Sequence, residues 1–299
     1  MWIVVIFIAA VFLGLYDVFQ KISLRGNALM PVLFFSIVTS AVVLTPFLFL
    51  SRFSPSLLSS TPFYVADIDF RTHCFILIKS LIVLASWIFG YAGMKNLPLT
   101  IVSPVKAIQP VWTVIGAFVI FSERLNIYQG LGVAFAILCF YFFSLIGKRE
   151  EQGSVNNKWI ICLVISTLIG ASSGLYDKFL MKEFDRMAVQ VYFTYYQVLL
   201  MGVLLFFIWW PHRKKYQFSW CWSIPLIGLF LSCSDFLYFY ALSLPDSLIS
   251  IISPLRRTSF VIPFVYGAVV YHERNISRKL LCLVLLAVGM TLIYMGSSL

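Results

Sequence analysis

Charge is what this chain has least of. Only 11% of its 299 residues are Asp, Glu, Lys or Arg, against about 25% in a soluble domain. That poverty excludes a water-soluble fold, because a chain of this size keeps a large surface that polar groups would have to cover. Other absences narrow the function. The six cysteines (Cys74, Cys139, Cys162, Cys221, Cys233 and Cys282) lie in or beside apolar runs with no C-x-x-C pair. They read as small hydrophobes, not as disulfides or metal ligands. His73, His212 and His272 fall at or beyond the ends of apolar segments, so no metal site is expected. Walker A and H-E-x-x-H motifs are missing, so no cofactor, no ATP-driven transport and no enzymatic activity are expected. The N-terminus opens MWIVVIFIAAVFLG without a basic n-region, and a cleaved signal peptide is not expected.

What the chain has is apolar length. Apolar and aromatic residues make up 61% of it, and a bilayer core needs about 20 helical residues to be crossed. Runs of that length fall at 1–21, 30–51, 73–95, 98–121, 126–147, 158–181, 187–210, 220–243, 246–271 and 277–297. The ten-residue alternation of barrel strands is absent. The expectation is an all-α membrane protein with ten transmembrane helices and no soluble domain. The longest connector, 52–72, contains SPSLLSSTPFYVADID and reads as extramembranous.

The net charge of +10 resembles a nucleic-acid signal, but most basic residues sit between apolar runs. There they serve as anchors facing anionic lipid, and the expected partner is the bilayer, not nucleic acid. Twelve Lys and Arg, among them Lys21, Arg25, Lys148, Arg213 and Lys279, fall in one set of connectors, and five (Arg52, Arg71, Arg124, Lys182 and Arg186) in the other. The positive-inside rule makes the first set cytoplasmic and puts both termini on the outer face of the cell (inner) membrane.

The second half of the chain echoes the first. Gly14-Leu15-Tyr16-Asp17 recurs as Gly174-Leu175-Tyr176-Asp177, Ser103-Pro104-Val105-Lys106 as Ser253-Pro254-Leu255-Arg256, and Glu123-Arg124 as Glu273-Arg274, at offsets of 160, 150 and 150. Two copies, 1–150 and 151–299, each hold five spans. An odd number of spans forces opposite orientations, and inverted repeats place a binding site near the midplane at their interface.

With the LP turns at 97–98 and 244–245 and the glutamates ending spans 4 and 9, the chain resembles the EamA-type branch of the drug/metabolite transporter superfamily. The resemblance covers the whole chain and implies a ten-helix basket that moves small organic molecules by alternating access. SPVKAIQP at 103–110 and SPLRRTSF at 253–260 are similar to the equivalent helices of organophosphate/phosphate translocators in that superfamily. That likeness implies that Lys106, Arg256 and Arg257 hold an anion.

The residues themselves point the same way. A charged side chain at a helix centre costs about 2.5–3.5 kcal/mol on insertion, so Lys106, Arg256 and Arg257 need a reason to be there. Within the spans, Asp17, Asp177 and Asp235 oppose Lys79, Lys106, Lys178, Arg256 and Arg257, a balance of +2. Setting aside the end-proximal Asp17, Asp177, Lys178 and Lys79 leaves three cations against one carboxylate. An anionic substrate would supply the missing charge, arginine offering a planar fork and lysine a point charge. Gln109 follows Lys106 on a polar stripe that continues to Thr113. Asp235, with Tyr238 one turn on, is either a counter-ion or a protonatable carboxylate, and Trp87 and Tyr91 are candidate cavity walls. Asp17, Asp177, Tyr16 and Tyr176 are candidates for coupling or gating, with protons as the coupling ion. Pro104, Pro110, Pro254 and Pro263 are expected to kink spans 4 and 9. Gly130, Gly132 and Gly289 are expected to let helices approach closely. The expected function is secondary transport of a carboxylate- or phosphate-bearing metabolite. The alternative is an exporter of amino acids or neutral drug-like compounds whose basic residues serve structure. Either would act as a monomer or homodimer.

Overall fold

The computed structural model describes residues 2–96, 105–106, 108–147, 157–214, 216–270 and 276–298, and every regular element among them is a helix. These are α1 (Trp2–Ser23), α2 (Leu29–Phe53), the single turn α3 (Pro55–Leu58), α4 (Phe70–Asn96), α5 (Gln109–Phe121) and α6 (Ile127–Gly147). They continue with α7 (Asn157–Glu183), α8 (Arg186–Leu204), α9 (Ser223–Ser243), α10 (Ile249–Arg257), α11 (Val261–Val270) and α12 (Ile276–Ser298). In hydrocarbon a backbone must satisfy its own polar groups, which a helix does within one segment. Among the described residues six helical segments are long and apolar enough to cross a bilayer: Trp2–Ser23, Leu29–Phe53, Phe70–Gly90, Lys158–Glu183, Arg186–His212 and Ser223–Ser243. Gln109–Phe121, Ile127–Cys139 and Val284–Gly296 are shorter apolar stretches. The protein is therefore a multi-pass membrane protein. Its outer face agrees: α1 exposes Val4, Ile8 and Val11 at helical spacing while Ile3, Ile6 and Ala10 are buried.

The segment read as span 9 is two helices. α10 and α11 are separated by a 3-10 turn, Thr258–Phe260. Pro263 explains the break: it has no N–H for the carbonyl of Ser259 and clashes with that turn. The other prolines act differently. Pro254 is carried inside α10, and Pro110 sits in the first turn of α5, where no donor is required. Pro104 lies outside the described residues.

The contacts divide the chain into two compact units that draw on both sequence halves. The first comprises 1–80, 179–244 and 259–266, the second 81–178, 245–258 and 267–299. In the first, α9 packs on α1, α2 and α8, and α2 on α8. Lipid gives no hydrophobic drive between helices, so small residues and interhelical hydrogen bonds hold them. Ser23 and Ser223 bond through their hydroxyls at 2.5 Å, Ser234 donates to the Ala9 carbonyl at 2.9 Å, and Ser40 donates to the Gly228 carbonyl at 2.9 Å. Gly14 admits the Ser259 carbonyl so closely that a Cβ there would lie 2.6 Å from it.

The long connector between α2 and α4 is folded onto this unit. Arg52 pairs with Asp67, the Val65 N–H donates to Ser51 Oγ at 3.0 Å, and Phe63 stacks between Phe47 and Phe236 at 5.1 and 5.0 Å. Val65 itself is fully buried with Leu44, Met187 and Val191. At the connector's end Asp69 accepts from the Thr72 N–H and hydroxyl, which holds its carboxyl below the usual range.

In the second unit α12 packs on α6, and α10 on α5 and α6. A Cβ at Gly132 would lie 2.5 Å from the Gly289 carbonyl. Gly130 differs from expectation: a Cβ there would meet nothing within 4 Å, so it has no part in this approach.

Candidate functional site

The second unit holds the basic residues that the sequence singled out. Lys106 and Arg256 are half-buried and Arg257 is exposed; α10, which ends in the two arginines, packs directly on α5, which Gln109 opens. Two expected ligands meet there. Arg257 Nη2 donates to Gln109 Oε1 at 2.6 Å, a charge-assisted bond between helices 148 residues apart in sequence. The far side of Gln109 rests on α7: a Cβ at Gly170 would lie 2.8 Å from Gln109 Nε2 and 3.3 Å from Ser86 Oγ. One turn earlier, Ser86 donates to the Ser166 carbonyl at 3.0 Å and Ser166 to the Ser86 carbonyl at 2.8 Å, a reciprocal clasp between α4 and α7. Gln109 thus has a glycine bed beneath it and an arginine across from it.

The α10 start is fixed with unusual strength. After α5, Ser122 takes a left-handed conformation (φ 53°) and turns the chain inward, so Glu123 is buried at 9% exposure. Its carboxylate accepts the N–H of Ile249 at 2.9 Å, the N–H of Ser250 at 3.0 Å and the Ser250 hydroxyl at 2.6 Å. These amides open α10, where a negative charge also meets the positive end of the helix dipole. Just before them, Lys178 donates to the Ser247 carbonyl at 2.6 Å and hydroxyl at 2.5 Å. Charged groups on the α5–α6 link and on α7 therefore set the position of the helix that carries Arg256 and Arg257.

The remaining candidates are dispersed. Trp87 is half-buried on α4 in the second unit, and the Tyr91 side chain lies outside the described residues. Asp177 is buried and Tyr176 half-buried on α7, in the second unit. Tyr16 and Asp17 are half-buried on α1, in the first. Asp235 is half-buried and Tyr238 buried on α9, also in the first unit.

Sequence reasoning missed three things. It took Glu123 as a helix-end residue, whereas its carboxylate orders another helix; no local pattern points 126 residues ahead. It set Lys79 aside as end-proximal, yet Lys79 is 2% exposed with its ammonium 4.5 Å from the ring centres of both Phe193 and Phe239. It also passed over Gly170-Ala171-Ser172-Ser173-Gly174, which has the G-x-S-x-G spacing of a hydrolase nucleophile elbow. That motif needs a strand-to-helix turn. Here it lies inside α7, with the Ser172 hydroxyl donating to the Leu168 carbonyl at 3.0 Å, so the spacing carries no nucleophile.

The glycine bed yields a measurable expectation. In Gly170→Ala the new methyl displaces the flexible end of Gln109 and presses on Ser86 Oγ, both side-chain ends, so the protein should stay folded. Gln109 moves relative to Arg257, and affinity for the small anion expected from the sequence should fall by about 3–10-fold, on the order of 1 kcal/mol. Calorimetric titration of the purified protein with succinate or phosphate measures it, and an unchanged affinity would detach Gln109 from recognition.

Comparison with known proteins gives the context. The family model of the EamA-like transporter family matches residues 1–145 and again 157–295. No curated protein matches significantly. Among solved structures 28 chains match. One, a crystal structure of a protein, is 12% identical, covers 96% of this chain and 94% of its own, and superposes with a TM-score of 0.70. At that identity the likeness concerns the fold alone.

Proposed function

This chain belongs to the EamA-like transporter family, whose members carry small molecules across membranes, and from that premise we propose that it moves a small anionic metabolite by alternating access. The two successive family matches support two five-span repeats, 1–150 and 151–299, and ten spans in all. Opposite insertion of the repeats in the inner membrane, with both termini outside, follows from the odd span number and the placement of Lys and Arg.

The observation that carries the substrate class is the Arg257–Gln109 bond. Gln109 on α5 and Arg256 and Arg257 on α10 stand on two packed helices, and Lys106 precedes Gln109 by three residues. Charge at membrane depth is expensive, and a cluster of it reads as a substrate pathway. Lys106 would supply a point charge, the arginines a planar fork for carboxylate or phosphate, and Gln109 a neutral hydrogen-bonding partner. Protons are the proposed coupling ion, with Asp17, Asp177 and Asp235 as the titratable carboxylates.

The same bond supports a second reading, in which Arg257 ties α10 to α5 and the cargo is an amino acid or a neutral compound. Counterflow in proteoliposomes against phosphorylated sugars, dicarboxylates, amino acids and neutral drugs separates the two. Exchange with phosphate esters or carboxylates is expected; exchange confined to neutral compounds would end the anion proposal.

A further inference from the structure

The first unit contains a polar hollow that none of the residues discussed so far as candidate ligands lines. Beside the connector between α2 and α4 lies an open surface hollow of about 350 Å³, lined by Ser59, Pro62 and Tyr64 of the connector and by Asp185 and Arg186 at the start of α8. The connector side of the hollow is held in place by the Arg52–Asp67 pair, the buried Val65 and the Phe47–Phe63–Phe236 stack.

Arg186 is the cation of this lining. Its guanidinium lies 4.3 Å from the Tyr240 ring centre and 5.9 Å from that of Phe236, and Nη2 donates to the Pro62 carbonyl at 3.3 Å. Among the described residues no carboxylate comes within ion-pair distance of it. A guanidinium carries five N–H donors in a planar fork, and here a neutral carbonyl takes one. The hydroxyls divide in a telling way. Thr61 already donates to the Leu58 carbonyl and Ser243 to the Tyr240 carbonyl, so both can only accept. The hydroxyls of Ser59 and Tyr64 make no hydrogen bond among the described residues and can turn to donate. Asp185 is the opposing charge, and it is employed: it caps α8 by accepting the Ala188 N–H at 2.7 Å.

We propose that this hollow binds a small soluble oxyanion, a carboxylate or phosphate, with Arg186 as counter-charge and Ser59 and Tyr64 as added donors. The Asp185 carboxylate repels the bound anion and keeps binding weak and rapidly reversible. The site stands on its own geometry in the first unit and does not depend on the transport reading.

Calorimetric titration of the purified full-length protein with inorganic phosphate, and separately with succinate, tests it. An Arg257→Gln background weakens the contribution of the second unit, so that a further loss on changing Arg186 reports on the hollow. Measurable binding is expected there, and adding Arg186→Gln should weaken it about tenfold or more. Asp185→Asn should tighten it severalfold, because asparagine caps a helix as well as aspartate but carries no charge. A gain of affinity cannot arise from a damaged fold, so the opposite signs of the two variants separate recognition from structure. Absence of binding by both probes, indifference to Arg186→Gln, or weaker binding in Asp185→Asn, the mark of a zwitterionic or cationic ligand, would each overturn the proposal. In nanodiscs at high ionic strength, which screens the charge of the bilayer, phosphate affinity should be the same in phosphatidylcholine as in phosphatidylglycerol. Loss of phosphate binding in phosphatidylglycerol would assign the hollow to a lipid headgroup instead.

Discussion

On the proposed function, Arg257→Gln is expected to lower anion uptake by roughly one to two orders of magnitude while leaving the protein folded. Loss of a hydrogen bond to a charged group costs about 1.5–3 kcal/mol, and each 1.4 kcal/mol or so is a factor of ten in rate. The guanidinium is exposed and its bond to Gln109, itself half-buried, lies at an exposed position, so losing that bond does not strand Gln109 in a dry core. Arg257→Lys keeps the charge without the planar fork and should fall between wild type and Arg257→Gln. Initial rates in proteoliposomes, beside a size-exclusion profile and a thermal melt, give the answer. Wild-type uptake by Arg257→Gln would remove the arginine from recognition, and collapse of the fold would give it the structural role.

Glu123→Ala should act by the opposite route, through stability first. The substitution strips two buried amides and a hydroxyl of their acceptor. A buried donor left unsatisfied costs about 1–3 kcal/mol, so the two amides together lose about 2–6 kcal/mol. Glu123→Gln keeps one acceptor oxygen but turns an NH₂ group toward a donor, and it should lose less. Because α10 carries Arg256 and Arg257, activity should fall along with the melting temperature across the two variants. A melt unchanged in Glu123→Ala would show that the α10 start does not depend on this carboxylate.

These two residues mark what the sequence could and could not tell. The helical segments were legible because each needs about 20 apolar residues, and the break in the ninth was foreshadowed by Pro263, although the break falls one turn before that proline. Arg257 and Gln109 were legible as candidates because charge inside an apolar run is costly enough to demand a purpose. Their contact was legible only through the repeat, which paired the segments 103–110 and 253–260. The reach of Glu123 was not, because a carboxylate at a helix end looks the same whether it meets water or another helix. Nor were the glycines and serines at the helix contacts: Gly130 and Gly132 are two residues apart and equally small, and only Gly132 abuts a neighbour. Lys79 misled through its position near the start of a long run, which set it aside as end-proximal; its ammonium lies buried between the rings of Phe193 and Phe239.

The connector between α2 and α4 bears on how sidedness should be mapped. As the longest link in the chain it invites an epitope tag or a protease site, but Val65 is a plug and Phe63 a wedge. An insertion between 62 and 68 would pull both out and report on a damaged protein. The exposed turn at Ser56 and Leu57, or the polar stretch at His212–Lys214, offers a place where a reporter can be added without disturbing what it reports on.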